Sequence, residues 1–455
     1  MMTWTGQIGD ENHYRVVLVL SRPRMILAER HGTRRRLPRI SIPKRTRTAK
    51  QLTEAIQQKW GVSSIVIDFL PIEQALLSCA VIEVLNHGWE FGKYGFMAAQ
   101  VDDLEEQELA ARERSVVLGI LRGDRQGRGP FSRPGWVGEA QQWIQACLPG
   151  RLIEFNEDVR QFNAGGTFAL VFLGTRQKPA YWLKATGSPN THEYTITTTL
   201  ARYLPDYLPP LVAARDDWNA WVMEDMGQSL HSAFTSPRFE QAVHCLAQLQ
   251  KTSTVYVDLM LAGGCFDHRI PNLRAHLPQL IHYLDEAMAR QTSARVLPIG
   301  TKRLRELEIL LEDACSSIEA LRIPDALLHN DMNLGNVLSD GVRTVFTDWA
   351  EACIGNPFLT FERLRAQTPQ ENSALVPQLT GIYKKHWRSM LCESTIERAL
   401  ALSPPIAIAA YVYGRDMTFS ASYRNDPCVE SYARSLARHM DRAVQSPDFV
   451  EALCH

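Results

Sequence analysis

The segment LLHNDMNLGNVL at 327–338 sets the tightest limit on how this chain folds, because a polar cluster of the form HxDxxxxN stands between two apolar stretches. The flanks read as buried strands, so the polar residues between them must sit on a loop that those strands hold in place. A second apolar run, TVFTDW at 344–349, follows at once and ends near another aspartate, Asp348. Together they predict a strand-and-loop island over 326–349, inside a region whose pattern is otherwise mostly helical from 239 onward.

A chain of 455 residues exceeds what one compact core accommodates, so two folding units are expected. The clearest break is RGDRQGRGPFSRPG at 122–135, where glycine, proline and arginine displace the apolar periodicity and mark a linker. Before it, the pattern predicts strands at 15–20 and 25–29 around a turn at Arg22-Pro23, a helix at 48–60, strands at 65–70 and 76–85, and a helix at 102–121. After it come a helix at 136–148, strands at 152–160, 168–174 and 181–185, a helix at 193–204 and a short strand at 221–224. The expected organisation is an accessory domain at 1–121, a β-rich lobe at 136–227 and a helical lobe at 228–455.

Composition narrows the class of partner. A hydrophobic fraction of 45%, a charged fraction of 22% and a formal charge of −1 describe an ordinary globular chain with no global attraction to nucleic acid or anionic lipid. No stretch reaches the roughly 18 to 20 apolar residues that span a bilayer, and no basic segment followed by an apolar run opens the sequence. A soluble, cytoplasmic protein without membrane association is therefore expected. The 9 cysteines are scattered and never spaced as CxxC, which predicts reduced thiols with neither a disulfide framework nor a zinc site.

Chemistry explains the spacing in the 327–349 region. Phosphoryl transfer to an alcohol needs a carboxylate to orient the hydroxyl and accept its proton, and oxygen ligands to hold magnesium against the nucleotide phosphates. Asp331 suits the first role; Asn336 with Asp348 suits the second. Upstream, FNAGGTFALV at 162–171 places Gly165 and Gly166 between apolar strands, where backbone amides can approach phosphates. An ordinary hairpin has the same pattern. Lys184 closes the strand YWLKA, and Glu193 near the start of the next helix is placed to pair with it.

These residues resemble the catalytic loop and lysine strand of the aminoglycoside-phosphotransferase and choline-kinase superfamily, relatives of the protein kinases, over about 136–455. The resemblance implies an α+β, bilobal, protein-kinase-like fold preceded by a small α/β accessory domain, with ATP and magnesium as cofactors and a small hydroxylated molecule as acceptor. It implies that His329 braces the loop, Asp331 is the catalytic base, and Asn336 and Asp348 are magnesium ligands. Lys184 would bind the α- and β-phosphates while paired with Glu193. The segment WVMEDMG at 221–227 resembles the connection between kinase lobes, making Glu224 to Met226 candidates for contact with the nucleotide base. Two positions depart from the family. Asn330 stands where glycine is usual, which asparagine's tolerance of unusual backbone angles accommodates. Gly355-Asn-Pro357 leads to Thr360 where an aspartate usually opens the next helix, and a threonine still caps one.

Other readings remain open. The HxDxxxxN pattern also arises as a chance polar turn with aspartates as helix caps, and a kinase-like cleft can serve a regulator that binds nucleotide without transferring phosphate. The region around LPRISIP at 37–43 with a helix closed at Gly61 resembles a Nudix hydrolase, but Gln58 and Lys59 stand where that family has paired glutamates, so hydrolysis is not expected. A run of arginines and lysines without an acid lies between Arg30 and Lys50. A solvated cationic loop is favoured over nucleic-acid binding, because no aromatic residue interrupts the run to stack on bases. Candidate acidic contacts for a cationic acceptor are Asp258, Asp267 and Glu351. The acceptor's identity and the oligomeric state are not encoded in these motifs.

Overall fold

The computed structural model describes residues 11–21, 24–32, 34–44, 47–70, 77–86, 88–124, 128–414 and 426–454. The turn predicted at Arg22-Pro23 lies outside them, as do 125–127 of the predicted linker. The fold is α+β, with sheets in the N-terminal part and helices dominating the C-terminal part. Two compact units are formed, one from Met1–Tyr194 with Pro210–Asp225 and the other from Thr195–Pro209 with Met226–His455.

The first unit contains two sheets. In one, β1 (Glu11–Ser21), β2 (Arg24–His31), β3 (Arg34–Arg36), β4 (Arg39–Pro43), β5 (Ser64–Leu70), β6 (Ser78–Val84) and β7 (Phe96–Ala99) run in the order β3-β2-β1-β6-β5, with β4 beside β1 and β7 beside β2. Only the β1–β6 pair is parallel among these described strands. Helix α1 (Thr48–Trp60) packs on the face bearing Val16 and Leu18, while α2 (Ala111–Arg122) packs on the face bearing Val17 and Val19. Both faces of β1 are covered over 16–19, which is why that stretch is a continuous apolar run rather than an alternating one.

The helix predicted over 102–121 begins only at Ala111, and two 3-10 turns precede it. Long-range pairing overrides local helix propensity here. Leu104 bridges to Arg35, the Glu105 amide donates to the Arg35 carbonyl at 3.0 Å, and Asp103, Glu105 and Glu108 form ion pairs with Arg35, Arg36 and Arg39. The arginine run, acid-free in sequence, is thus partly neutralised by a strip of acids about seventy residues downstream.

The second sheet has the antiparallel order β11-β12-β10-β9-β8, built from β8 (Phe155–Gly165), β9 (Phe168–Thr175), β10 (Tyr181–Ala185), β11 (Leu211–Arg215) and β12 (Ala220–Glu224). β8 runs further than the predicted 152–160, and β11 is an addition. Helix α3 (Trp136–Cys147) covers one face through Trp136, Val137, Ala140 and Ile144. The two sheets are joined at β5 and β8: the Val66 amide donates to Gln161 Oε1 at 2.7 Å and Gln161 Nε2 donates back to the Val66 carbonyl at 3.0 Å.

Residues 128–135, read from sequence as linker, are packed. The Phe131 amide donates to the Gly166 carbonyl at 3.1 Å, and the Gly135 amide donates to the buried Glu83 carboxylate at 2.8 Å. A Cβ on Gly129 would stand 2.0 Å from the Gly166 carbonyl oxygen, a backbone atom with no rotamer to yield. Gly129→Ala is accordingly expected to destabilise by about 1–3 kcal/mol. Gly138→Ala, whose Cβ meets nothing, serves as the control, with thermal unfolding of both variants as the measurement.

The second unit is mainly helical. Helices α4 (His192–Tyr203, from Thr195 on), α5 (Ser236–Ser253), α6 (Val257–Ala262), α7 (Ile270–Ala275), α8 (Leu277–Ala289), α9 (Thr301–Ala320), α10 (Pro357–Arg365), α11 (Val376–Trp387), α12 (Glu393–Tyr413), α13 (Pro427–Ala443) and α14 (Pro447–Cys454) surround two small sheets. These are β13 (Gln228–Ser229), β16 (Val337–Ser339) and β17 (Thr344–Phe346) in the order β13-β16-β17, and β14 (Phe266–His268), β15 (Ala326–His329) and β18 (Ala352–Gly355) in the order β14-β18-β15. The cap of α10 is Asn356 rather than Thr360: its side chain accepts the Phe358 amide at 3.0 Å, Pro357 takes the first helical position, and Thr360 is buried inside the helix. Among the described residues no helix is long and apolar enough to cross a membrane.

Candidate functional site

The island predicted over 326–349 forms as strand, loop, strand and strand in the second unit. β15 delivers His329, and Asn330 to Asn333 form the loop before a 3-10 turn at Leu334–Asn336. Both Asn333 Nδ2 and Asn336 Nδ2 donate to the Asp331 backbone carbonyl at 3.0 Å, and the Asn333 carboxamide oxygen accepts the Gly335 amide at 2.9 Å. The same two amide nitrogens lie 3.4 and 3.5 Å from Asp331 Oδ2. The Asp331 carboxylate is thereby held beside Asn336 while remaining partly open to solvent.

Asp348 joins this cluster through its neighbour. The Thr347 amide donates to the Asn336 carbonyl at 3.0 Å, and the Thr347 carbonyl accepts from His329 Nε2 at 2.8 Å. His329 therefore carries its proton on Nε2. Burial pushes its pKa below the ordinary value, against the raising effects of the Thr347 bond and the charges of Asp348 and Asp331, so the imidazole is neutral near pH 7. Its ring packs 4.6 Å from that of Trp349. Asp348 itself is left-handed, at φ 67° and ψ 63°, a strained conformation for a residue with a side chain. The positive φ falls there and not at Asn330, whose side chain instead donates to Glu351 at 3.4 Å.

In the first unit, Lys184 Nζ forms an ion pair with Glu193, which is only 2% exposed, and lies 5.6 Å from the Trp221 ring. Gly165 and Gly166 make the β8–β9 turn with φ of 147° and 51°, values that favour glycine. Thr167 packs so closely on Gly187 that a Cβ there would lie 1.9 Å from its hydroxyl. The amides of Glu224 and Asp225 are committed to sheet bonds with Pro210 and Ala180 at 3.0 and 2.9 Å, and the Glu224 carboxylate lies 4.0 Å from Arg151. Met226, in the second unit, is buried at 4% exposure.

One residue beside this constellation went unread in the sequence. Trp182 stands two positions before Lys184 on β10 and so shares its sheet face. Its Nε1 donates to Asp225 at 2.8 Å, and its ring lies 5.2 and 5.3 Å from Phe162 and Phe172. The alternation in YWLKA is the signal that would have found it. Of the acidic candidates, Asp267 is bonded to Arg269 at 2.6 and 2.9 Å, which lowers its pKa, and Glu351 is engaged by Asn330. Among the described residues no group of three His, Cys, Asp or Glu side chains is arranged to hold a metal.

No family model matches the sequence, and no curated protein matches it. Solved structures similar to this chain include a choline/ethanolamine kinase family protein from Mesorhizobium loti, at 14% identity and a TM-score of 0.44, covering 70% of this chain and 98% of that one. An ethanolamine kinase from Plasmodium vivax is 14% identical with a TM-score of 0.44, covering 65% of this chain and 84% of its own. The GDP complex of wild-type aminoglycoside 2'-phosphotransferase-IIIa is 15% identical with a TM-score of 0.41, covering 67% of this chain and 98% of its own.

Proposed function

We propose that this protein is an ATP- and magnesium-dependent phosphotransferase that moves the γ-phosphate to a hydroxyl group of a small molecule. The observation that carries the reading is the bonded cluster in which Asn336 grips the Asp331 carbonyl while Thr347, one residue before Asp348, bonds both Asn336 and His329. Asp331 orients the acceptor hydroxyl and takes its proton as the new oxygen–phosphorus bond forms. The bond from phosphorus to the β–γ bridging oxygen breaks in the same step, and ADP leaves. Neutral His329 cannot compete for that proton from its buried position, so its role is to hold the Thr347 carbonyl and thereby Asp348.

The donor set fits magnesium, a hard cation that prefers oxygen ligands. Asn336 spends its amide nitrogen on the Asp331 carbonyl, which leaves its oxygen for the ion, and Asp348 supplies a carboxylate. Bound there, magnesium would neutralise phosphate charge as the transfer proceeds. Lys184, oriented by Glu193, binds nucleotide phosphate, and the Gly165-Gly166 turn presents backbone amides. Trp182 offers a ring for the base to stack on. Because the Glu224 and Asp225 amides are taken, base contacts in that connection fall to carbonyl groups and to Met226. We place the protein in the cytoplasm, where ATP is supplied.

The test is ADP release from magnesium-ATP with a panel of hydroxylated metabolites, alongside nucleotide binding by thermal shift. Absence of metal-dependent binding at millimolar ATP sinks the proposal; binding with no transfer to any acceptor or to water favours a regulator instead. Lys184→Met is expected to raise the KM for ATP by about 10- to 100-fold, the equivalent of one charge-assisted contact. Steady-state kinetics at saturating acceptor measures it, and an unchanged KM removes Lys184 from the phosphate site.

A further inference from the structure

Arg363, in the second unit, has no task in the catalytic reading. It lies on α10 with its guanidinium carbon 3.5 Å from the centroid of the Tyr411 ring on α12. Its Nε is buried without a hydrogen-bond partner. Among the described residues, no carboxylate comes within ion-pair distance of it. Arginines of the same unit do have such partners: Arg365 with Glu362, Arg269 with Asp267, Arg290 with Glu430 and Arg303 with Asp441. Glu362, adjacent in sequence, thus pairs with Arg365 and leaves Arg363 unmatched.

The helix that carries Tyr411 passes beside the catalytic loop: a Cβ on Gly414, three residues beyond Tyr411, would stand 2.6 Å from the side-chain nitrogen of Asn330, the neighbour of Asp331. Burial lowers the pKa of Arg363, opposed by Tyr411, Tyr432 and the charge of Asp331. A guanidinium nonetheless stays protonated. A cation withdrawn from water with no close counter-ion among the described residues is costly, and an incoming oxyanion offsets that cost through charge-assisted bonds. Stacking on Tyr411 restrains the fork in advance, which suits two-point binding of a carboxylate or phosphate. Of the acidic side chains considered for a cationic acceptor, Asp267 is neutralised by Arg269 and Glu351 accepts from Asn330, which leaves Asp258 as the competing anionic contact.

We propose that Arg363, stacked on Tyr411 of the helix that passes beside Asn330, clamps an anionic group of the acceptor, so that the alcohol phosphorylated carries a carboxylate or phosphate. This rests on the phosphotransferase reading of the same loop. It sets the acceptor apart from amino alcohols and amino sugars, whose positive charge Arg363 repels. The same oxyanion chemistry is offered by the γ-phosphate of the nucleotide, and the experiment separates the two sources.

Full-length protein is mixed with gluconate, glucose 6-phosphate, glycerate, glucose, glucosamine and choline at equal concentrations. Thermal shift is read first without nucleotide, then ADP release with magnesium-ATP. The anionic members are expected to raise the melting temperature and the neutral and cationic ones not. Arg363→Gln is expected to weaken that binding by about 10- to 100-fold, leaving the KM for ATP within about twofold, and Arg363→Lys to retain part of it. The two variants together separate a misfolded protein from a lost clamp, since both keep the side-chain length near that of a long polar residue and only one keeps the charge. Equal shifts from glucosamine or choline overturn the proposal, as does the absence of any shift from the anions or an anion shift that survives in Arg363→Gln. A rise in the KM for ATP with anion binding intact also overturns it, by assigning Arg363 to the nucleotide. Failure of the phosphotransferase reading registers separately, as wild-type protein that ignores magnesium-ATP whatever the anions do.

Discussion

Asp331→Asn is expected to lower kcat by about 100- to 10,000-fold while leaving nucleotide binding and thermal stability close to those of the parent. A carboxamide fills the same volume but cannot take the acceptor's proton. The bonds that shape the loop go mainly to the Asp331 backbone carbonyl, from Asn333 and Asn336 at 3.0 Å, and survive the substitution. The side chain is also partly open to water, so no buried charge is lost. ADP release, nucleotide affinity and unfolding temperature measured on one preparation decide the matter. A fall in all three would mean that the aspartate is structural; unchanged turnover would move the base elsewhere.

The largest effect on stability is expected in the first unit. Arg15, 2% exposed, lies in the first unit and forms two bonds to the Glu113 carboxylate, at 2.7 and 2.9 Å, and donates to the Leu77 carbonyl at 2.6 and 3.0 Å. Glu113, 1% exposed, also accepts the Ala110 amide at 2.9 Å at the start of α2. The pair ties β1 to α2. Arg15→Met leaves a buried carboxylate without its counter-ion and is expected to cost about 3–5 kcal/mol. Adding Glu113→Leu removes the orphaned charge, and the double variant is expected to recover most of the loss, although the cap at Ala110 goes with it. Urea denaturation of the single and double variants is the measurement. A double variant no more stable than Arg15→Met would show that packing, not the uncompensated charge, dominates.

Several of these features are legible in the amino-acid sequence. The 326–349 island is readable because its bonds are local: Asn336 to Asp331, Thr347 to Asn336 and His329 to Thr347 span 5, 11 and 18 residues. Lys184 and Glu193 were readable for the same reason, one ending a strand and the other opening the next helix. The cap of α10 falls on Asn356 and not on Thr360, although both residue types are competent caps, because Pro357 takes the first helical position. The helix expected over 102–121 is shorter in the structure because the acids at its start serve arginines of β3 and β4, a use that periodicity does not register.

What the amino-acid order determined by itself is a set of short-range arrangements: which residues alternate, which turn needs glycine, and which polar cluster must be gripped by its own neighbours. Tertiary structure decided the rest. It alone matched Arg15 with Glu113, laid 128–131 on the glycine turn, and stacked Arg363 on Tyr411 without a close carboxylate among the described residues. The physical reason is that charge compensation and close backbone approach depend on distance in space. Partners separated by dozens of residues leave no periodic trace in the chain that joins them.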